Sequence, residues 1–193
     1  MLQQVPVFQN PKPDLEQYLT PAPIAADILF IALGFDDITE KKVVDLGCGT
    51  GIFAIGAAFL QAKEIIGVDV DENCIQQAES FAISHHLPVS FRVNDISNLS
   101  ATADTVITNP PFGAQKSNKH ADRFFLKKAF TIAPVVYSLH LTHTLPFIEK
   151  LITALGAKIT FEKAYPFSIK AMFSFHRKMV DRFQVSVIRS VKK

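Results

Sequence analysis

The sequence contains one short motif with strong chemical demands, Asn109-Pro110-Pro111-Phe112. The two prolines fix φ and remove backbone donors, which leaves the Asn109 side chain and the Pro110 carbonyl as outward acceptors. Two acceptors can hold the hydrogens of a planar amino group, whose delocalised lone pair is otherwise a poor nucleophile. Phe112 offers a face on which a planar substrate can stack. The motif therefore predicts four catalytic residues, and the alternative is a proline-rich loop with Phe112 in the core.

A glycine cluster lies upstream, in the segment Asp45-Leu46-Gly47-Cys48-Gly49-Thr50-Gly51. Glycines at this spacing permit a tight turn and a close approach of the backbone to a ligand, and the following helix offers free N–H groups. The dinucleotide fingerprint G-x-G-x-x-G would need a glycine at position 52, where this chain has Ile52. The pattern argues against NAD and favours a ligand without a pyrophosphate.

Acidic residues follow the next two predicted strands. Asp69 lies about 20 residues beyond the glycine turn, where a carboxylate can accept hydrogen bonds from both hydroxyls of a ribose. Asp95 follows the third strand, where its side chain can reach an adenine amino group. The alternative for each carboxylate is an ordinary helix cap or turn. With the glycine turn, the two residues predict a site for a ligand that contains adenosine.

Strands and helices alternate along the chain, which predicts an α/β fold with a doubly wound, mostly parallel sheet and helices on both faces. Such sheets bind ligands at the carboxyl ends of their strands, where the strand order reverses. Thr20 and Pro21 predict the N-cap and first-turn proline of the first helix. The last two strands predict an antiparallel hairpin at one edge. The predicted strands are 42–46, 64–70, 89–93, 104–108, 135–141, 157–165 and 182–190, and the predicted helices are 21–33, 52–61, 72–85, 120–132 and 144–155.

These motifs resemble the Rossmann-like class of S-adenosylmethionine-dependent methyltransferases, over nearly the whole chain. The resemblance implies a seven-stranded Rossmann-like sheet and S-adenosylmethionine as the cofactor. It implies that the glycines pass under the methionine part, that Asp69 holds the ribose, and that Asp95 and Ile96 hold the adenine. The residues implied in cofactor binding are Gln17, Thr20, Asp45, Gly47, Gly49, Thr50, Gly51, Ile52, Asp69, Asp95, Ile96 and Asn109.

Longer segments are similar to the archaeal and eukaryotic family that makes N6-methyladenosine in small-subunit rRNA. The segments are Leu15-Glu16-Gln17-Tyr18 with Thr20, Asp45–Gly49, Asn109–Gly113, Val136–His140 and Phe175–Lys178. The similarity implies an enzyme that methylates an exocyclic amino group in RNA, foremost adenine N6. It also implies that Gln17 and Thr20 close over the cofactor, and that eukaryotic members have a small zinc-binding activator protein as partner. This chain has Thr50 where eukaryotic relatives typically have Cys. The expected contact at this position is made by the backbone, so the difference in side chain leaves it unaffected.

The Asn-Pro-Pro-aromatic motif leaves other acceptors open. The same chemistry serves enzymes that act on guanine in rRNA, on adenine in DNA, or on a glutamine amide in release factors, although the last group typically has Tyr where this chain has Phe112. A non-catalytic RNA-binding module with the same fold is a further alternative. The intact Asn109 and Asp69 weigh against that module.

Charge is distributed unevenly and predicts where RNA binds. Residues 1–100 contain 5 Lys and Arg against 13 Asp and Glu, whereas residues 158–193 contain 9 against 2. The predicted loop 167–181 mixes basic and aromatic residues, a composition that suits single-stranded RNA. A basic helix stripe opposite a buried stripe of Ala121, Phe125, Ala129 and Ile132 could track a phosphate backbone, although solvated faces are the alternative for both features. The candidate RNA-binding residues are Lys119, Arg123, Lys127, Lys170, His176, Arg177 and Lys178.

Composition excludes several other classes of protein. The 193 residues are 48% hydrophobic, which suffices for one buried core, but no apolar run reaches the roughly 18 residues of a membrane span. The N-terminus lacks the features of a signal peptide, so Cys48 and Cys74 are expected as reduced thiols in a cytoplasmic protein. The histidines lack metal-ligand spacing, so no metal is expected. We predict one methyltransferase domain, 1–193, in which residues 1–34 close over the cofactor and 35–193 form the Rossmann-like core.

Overall fold

The alternation of strands and helices is present in the computed structural model, which describes residues 1–113, 120–170 and 180–193. The strands are β1 Lys42–Leu46, β2 Glu64–Asp69, β3 Ser90–Val93, β4 Thr105–Thr108, β5 Val135–Leu141, β6 Ala157–Lys170 and β7 Val180–Lys192. The helices are α1 Ala22–Gly34, α2 Ile52–Phe59, α3 Glu72–Ser84, α4 Ala121–Ile132 and α5 Leu145–Ala154. Most predicted bounds agree with these to within two residues.

All seven strands form one sheet in the order β3-β2-β1-β4-β5-β7-β6. Strands β1 to β5 pair in parallel, whereas β7 runs antiparallel to both β5 and β6. The predicted fold class, including the antiparallel hairpin at one edge, is confirmed. The chain winds outward from β1 to β3 and then returns to β4 on the other side of β1. This reversal opens a crevice at the carboxyl ends of β1 and β4, which is where such sheets bind ligands.

Alternating side chains of the buried strands supply two apolar layers, because successive residues of a strand point to opposite faces. Val43 and Ile107 lie in a cluster with residues of α1 and α2 on one face. Val44 and Val106 lie in a second cluster with residues of α4 and α5 on the other face. The helices are short, and no helix among the described residues is long and apolar enough to cross a bilayer.

The C-terminal hairpin corrects the sequence-based bounds. The loop predicted at 167–181 was wrong at both ends, because β6 continues to Lys170 and β7 begins at Val180. Pro166 suggests a strand end from sequence, but β6 is the outermost strand, where a residue without an N–H is tolerated. Phe167 pairs across the hairpin with Phe183 and is buried. It belongs to the core and not to a loop surface.

The start of α1 also differs from the prediction. Pro21 occupies the N-cap position, Pro23 lies in the first turn, and no side chain caps the helix. The predicted N-cap role of Thr20 was therefore wrong. Its hydroxyl instead accepts a hydrogen bond from Asn109, which lies 89 positions away in the sequence.

Candidate active site

A cavity of about 290 Å³ lies at the carboxyl ends of β1, β2 and β4. Its walls come from the glycine turn after β1, the ends of β2 and β4, and the N-terminal segment before α1. The cavity brings together most of the residues predicted from sequence. The predicted residues that line it are Gln17, Thr20, Gly47, Gly49, Thr50, Ile52, Asp69, Asp95, Ile96, Asn109, Pro110, Pro111 and Phe112.

Two predicted cofactor residues, Asp45 and Gly51, do not line the cavity but shape the turn that does. The buried Asp45 carboxylate accepts a hydrogen bond from the Ala54 N–H at 3.0 Å and so holds the first turn of α2. Burial raises the pKa of Asp45 to about 7, because the ionised form is poorly solvated there. Gly51 is the N-cap residue of the same helix.

The glycine turn lies close against two aromatic rings. Gly47 has φ +74° and Gly49 has φ +52°, in the left-handed region. A Cβ on Gly47 would lie 2.7 Å from Phe125 Cε1, and one on Gly49 would lie 3.0 Å from Phe8 Cζ. Phe8 and Phe125 are therefore walls of the cavity, and sequence reasoning missed both because no local motif marks them.

Asp69 ends β2 beside this turn. Its carboxylate accepts hydrogen bonds from the Gly49 N–H at 2.8 Å and the Asp71 N–H at 2.9 Å. Burial raises the pKa of Asp69, although these hydrogen bonds oppose the shift. A carboxylate offers about four acceptor positions, so each oxygen retains capacity for one more donor.

Asp95 both caps a short helical turn and lines the cavity. Its side chain accepts a hydrogen bond from the Ser97 N–H at 2.8 Å, which caps a short helical turn over Ile96–Asn98. That hydrogen bond lowers the pKa of Asp95. Asp95 and Ile96 also line the cavity, so the cap is compatible with a ligand contact.

The N-terminal segment is held over the cavity by Asp71, a residue that sequence reasoning missed. Gln17 Nε2 donates to Asp71 Oδ2 at 2.7 Å, and Lys12 Nζ lies 2.8 Å from Asp71 Oδ1. Burial opposes ionisation of Asp71, but the hydrogen bonds from Lys12 and Gln17 outweigh it and lower the pKa. Asp71 is also the N-cap of α3, and this position in the sequence is the signal that could have found it.

At the end of β4, the Asn109 amide makes one hydrogen bond and leaves one atom unpaired. Asn109 Nδ2 donates to Thr20 Oγ1 at 3.0 Å. Asn109 Oδ1 is buried and has no partner among the residues that the structure describes. A buried acceptor without a partner is uncommon in proteins, and its residue lines the cavity. The Asn109 oxygen therefore has acceptor capacity that no described residue uses.

Phe112 lies between the core and the cavity. Its ring is edge-on to Phe167 at 6.4 Å and to Phe183 at 6.1 Å between centroids, and it remains half-buried on the cavity wall. One residue later, the Gly113 N–H donates to Glu16 Oε2 at 3.0 Å. The motif is thus anchored both to the hairpin and to the N-terminal segment.

The candidate RNA-binding residues are only partly within the described chain. Arg123 lies 4.2 Å above the Phe147 ring, and Lys127 is exposed on α4. Of the predicted buried stripe, Ala129 and Ile132 are buried, whereas Ala121 and Phe125 line the cavity. Lys170 lies on β6. Lys119, His176, Arg177 and Lys178 lie outside the described residues.

Neither cysteine has the surroundings of a nucleophile. Cys48 and Cys74 are free and buried, and burial raises the pKa of both thiols, so the reactive thiolate is disfavoured. Over the described ranges, no group of three or more His, Cys, Asp or Glu side chains is arranged to hold a metal ion. The described residues that line the cavity include oxygen acceptors and aromatic rings.

Residues 24–133 match the family model of the methyltransferase small domain. The chain belongs to this family. The match spans the glycine turn, Asp69, Asp95 and the Asn109 motif, whereas Gln17 and Thr20 precede it.

Comparisons over the full length of this methyltransferase give the same result. It is 41% identical to MJ0284, an uncharacterized protein of Methanocaldococcus jannaschii, over 100% of this chain and 91% of the relative. It is 40% identical to the Danio rerio rRNA N(6)-adenosine-methyltransferase METTL5, over 97% of this chain and 94% of the relative. The crystal structure of PH1948 from Pyrococcus horikoshii superposes with a TM-score of 0.91 at 40% identity, covering 99% of this chain and 94% of that one. The resemblance inferred from the sequence motifs is confirmed.

Proposed function

We propose that the protein is an S-adenosylmethionine-dependent methyltransferase that methylates adenine N6 in small-subunit rRNA. The observation that carries the proposal is the buried Oδ1 of Asn109, which has no partner within the described chain and belongs to a residue that lines the cavity. An acceptor at this place can hold one hydrogen of an amino group, and it therefore suits a substrate that is methylated on an amino nitrogen. The Danio rerio relative, an rRNA N(6)-adenosine-methyltransferase, supports rRNA adenosine as the acceptor.

Asn109 and its neighbours would activate the amine by position. Asn109 Oδ1 accepts one hydrogen of the amino group, the Pro110 carbonyl accepts the other, and Phe112 supports the face of the base. S-adenosylmethionine, when bound, supplies an electrophilic methyl group on its sulfonium. With both hydrogens held by these acceptors, the lone pair of the amine nitrogen would be directed at that methyl group, and the amine would release one proton on transfer. Alignment of the reacting groups can contribute about 7–11 kcal/mol to lowering the barrier.

The residues around the cavity fit the proposed cofactor. The free acceptor capacity of Asp69 suits the two ribose hydroxyls, and Asp95 and Ile96 lie where adenine would be held. Gly47 and Gly49 leave the backbone open to the methionine part. Gln17 and Thr20 would cover the ligand from the N-terminal segment, with Asp45, Gly51, Thr50 and Ile52 forming the turn beneath it.

RNA would approach through the basic C-terminal half. The target base must leave its stack to reach the cavity, and the ring of Phe112 on the cavity wall suits an unstacked base. We assign phosphate contacts to Arg123 and Lys127 on α4 and to basic residues of the segment 167–181. The remaining residues in this assignment are Lys119, Lys170, His176, Arg177 and Lys178.

A small zinc-binding activator protein is proposed as partner, from the family resemblance. Strand β3 is an outer strand of the sheet, and unpaired strand edges favour association with another chain. Val93 on β3 is 51% exposed and Ile83 on the adjacent α3 is 69% exposed. These two exposed apolar side chains would contribute to contact with a protein partner at this edge. The two free thiols suit a reducing compartment, and we place the protein in the cytoplasm.

Methyl transfer from labelled S-adenosylmethionine tests the proposal. The substrates are deproteinised rRNA, DNA and a release factor, and the labelled rRNA is digested for nucleoside analysis. Label in N6-methyladenosine supports the proposal. Label in guanosine, in DNA or in the release factor would instead identify that molecule as the acceptor. Tight RNA binding without any label would identify a non-catalytic binding module.

A further inference from the structure

We infer that Thr20 is a positioning residue that holds the Asn109 amide at the end of β4. Thr20 is 4% exposed and its hydroxyl oxygen accepts the hydrogen bond from Asn109 Nδ2 at 3.0 Å. The contact joins the N-terminal segment to the end of β4. The inference rests on the proposed function for the identity of the substrate, whereas the orientation itself can be measured without a substrate.

A carboxamide can occupy its site in two orientations that exchange the oxygen and the nitrogen. With Nδ2 on Thr20, the oxygen is the atom left without a partner among the described residues. With the orientation reversed, two N–H donors would occupy that buried position. Orphaned buried N–H groups are rarer than under-satisfied carbonyl oxygens, so the observed orientation is the more stable one.

The orientation decides whether the site can hold an amine. The oxygen accepts a hydrogen from an amino group, whereas an NH₂ group at the same place would direct its hydrogens against those of the substrate. A hydroxyl can donate as well as accept, so Thr20 holds the amide in place, and the cost of burying an unpaired NH₂ group favours the state that suits an amine substrate. Without the hydroxyl, neither end of the amide has a partner within the described residues.

The other end of the motif is held by the same segment. Glu16 Oε2 accepts from the Gly113 N–H at 3.0 Å, and Glu16 has the left-handed φ of 48°. Residues 16–20 therefore hold both Asn109 and Gly113. This arrangement gives the N-terminal segment an effect on the Asn109–Gly113 motif that is separate from covering the cofactor.

Thr20→Val removes the hydroxyl at nearly constant volume, and Thr20→Ser retains it. We expect Thr20→Val to lower the methyl-transfer rate at saturating cofactor and RNA by roughly 10- to 100-fold, the scale of a small misplacement of reacting groups. Thr20→Ser should recover most of the rate, and the measurement at saturating cofactor separates this effect from any change in the Kd for S-adenosylmethionine, which calorimetry reports. A weaker Kd with an unchanged saturated rate in Thr20→Val would overturn the inference, because Thr20 would then act on the cofactor alone.

NMR of the Asn109 side chain tests the orientation without any substrate. The Asn109 NH₂ resonances, assigned by their loss in Asn109→Asp, should exchange more slowly with solvent in the wild type and in Thr20→Ser than in Thr20→Val. Identical resonances and exchange rates in all three proteins would overturn the inference. If this pattern is found but the wild type methylates no RNA, the proposed function fails and the positioning of Asn109 by Thr20 stands.

Discussion

The Asp69 carboxylate accepts a hydrogen bond from the Gly49 N–H at 2.8 Å, which ties the end of β2 to the glycine turn after β1. The same carboxylate accepts from the Asp71 N–H, so it also fixes the start of the segment that leads to α3. One side chain therefore shapes two walls of the cavity. Any change at Asp69 will affect the shape of the turn as well as the proposed ribose contact.

Asp69→Ala should weaken S-adenosylmethionine binding. Loss of hydrogen bonds to a charged group costs about 1.5–3 kcal/mol, which corresponds to a Kd roughly 10- to 100-fold higher. Calorimetry measures the Kd, and thermal unfolding of the ligand-free protein reports damage to the turn itself. An unchanged Kd would exclude the ribose contact.

Cofactor affinity should also depend on pH through Asp69. Because burial raises the pKa of this carboxyl, it takes up a proton at a higher pH than an ordinary Asp as the solution is acidified. The protonated form accepts fewer hydrogen bonds, so affinity should be full above the raised pKa and fall as pH falls through it. Asp69→Asn, which cannot titrate, should lose this dependence in a series of Kd measurements from neutral to acid pH.

Asn109→Ala should abolish most turnover and leave cofactor affinity nearly unchanged. Removal of one preorganised hydrogen-bonding group at a reacting centre typically costs on the order of 100- to 1,000-fold in kcat. Labelled methyl transfer gives the rate and calorimetry gives the Kd. A variant that works at the full rate would refute the role assigned to the Asn109 oxygen.

Asp45→Asn should make the protein more stable at alkaline pH. The pKa of Asp45 rises from its ordinary 3.8 to about 7 on burial, so between these values the folded protein holds a proton that the unfolded chain has released. The free energy of unfolding should therefore fall as pH rises across that interval. Asn keeps an acceptor for the Ala54 N–H and does not titrate. Urea unfolding at several pH values should show the decline in the wild type and a flatter profile in the variant.

Asp71→Ala should destabilise the fold through the N-terminal segment. It removes the cap of α3 and the acceptor for Gln17 and Lys12, and the loss of a cap alone costs about 0.5–2 kcal/mol. Since the pKa of Asp71 is lowered, its contribution is present above the ordinary value and is lost as pH falls through the folded pKa. Glu72→Ala, the exposed neighbour, is the control. Equal urea midpoints for the two variants would contradict the anchoring role.

Charge reversal at Lys170, Arg177 and Lys178 should weaken RNA binding and reduce its salt dependence. For each phosphate of a single strand that the protein no longer neutralises, the slope of log K against log salt should fall by about 0.7. Lys63→Glu is the control, because Lys63 is exposed just before β2, away from the carboxyl ends. A slope that stays the same in the triple variant would exclude the hairpin as the site that binds phosphate.

Local pattern predicted most of the regular elements well. The positions of β1, β2 and β4 follow from short β-branched runs that stop at Gly47, Asp69 and Asn109, because buried parallel strands are apolar along their whole length. The loop predicted between the last two strands was too long, because β6 is an outer strand and continues through Pro166, where a missing N–H is tolerated. The predicted cap at Thr20 failed for a different reason, because its hydroxyl forms a hydrogen bond with Asn109 and not with its own helix.

By itself, the sequence determined the alternation of strands and helices, the glycine turn and the acceptor motif, since each depends on residues within a few positions of one another. Only the tertiary structure decided that Phe8, Phe125 and Glu16 form walls of the same cavity, and that Asp71 holds Gln17. These contacts join segments far apart in the chain, and their geometry is set by how the helices pack on the sheet. No local pattern encodes which distant segments come into contact. Only the folded structure therefore shows that the Asn109 oxygen has no partner among the described residues.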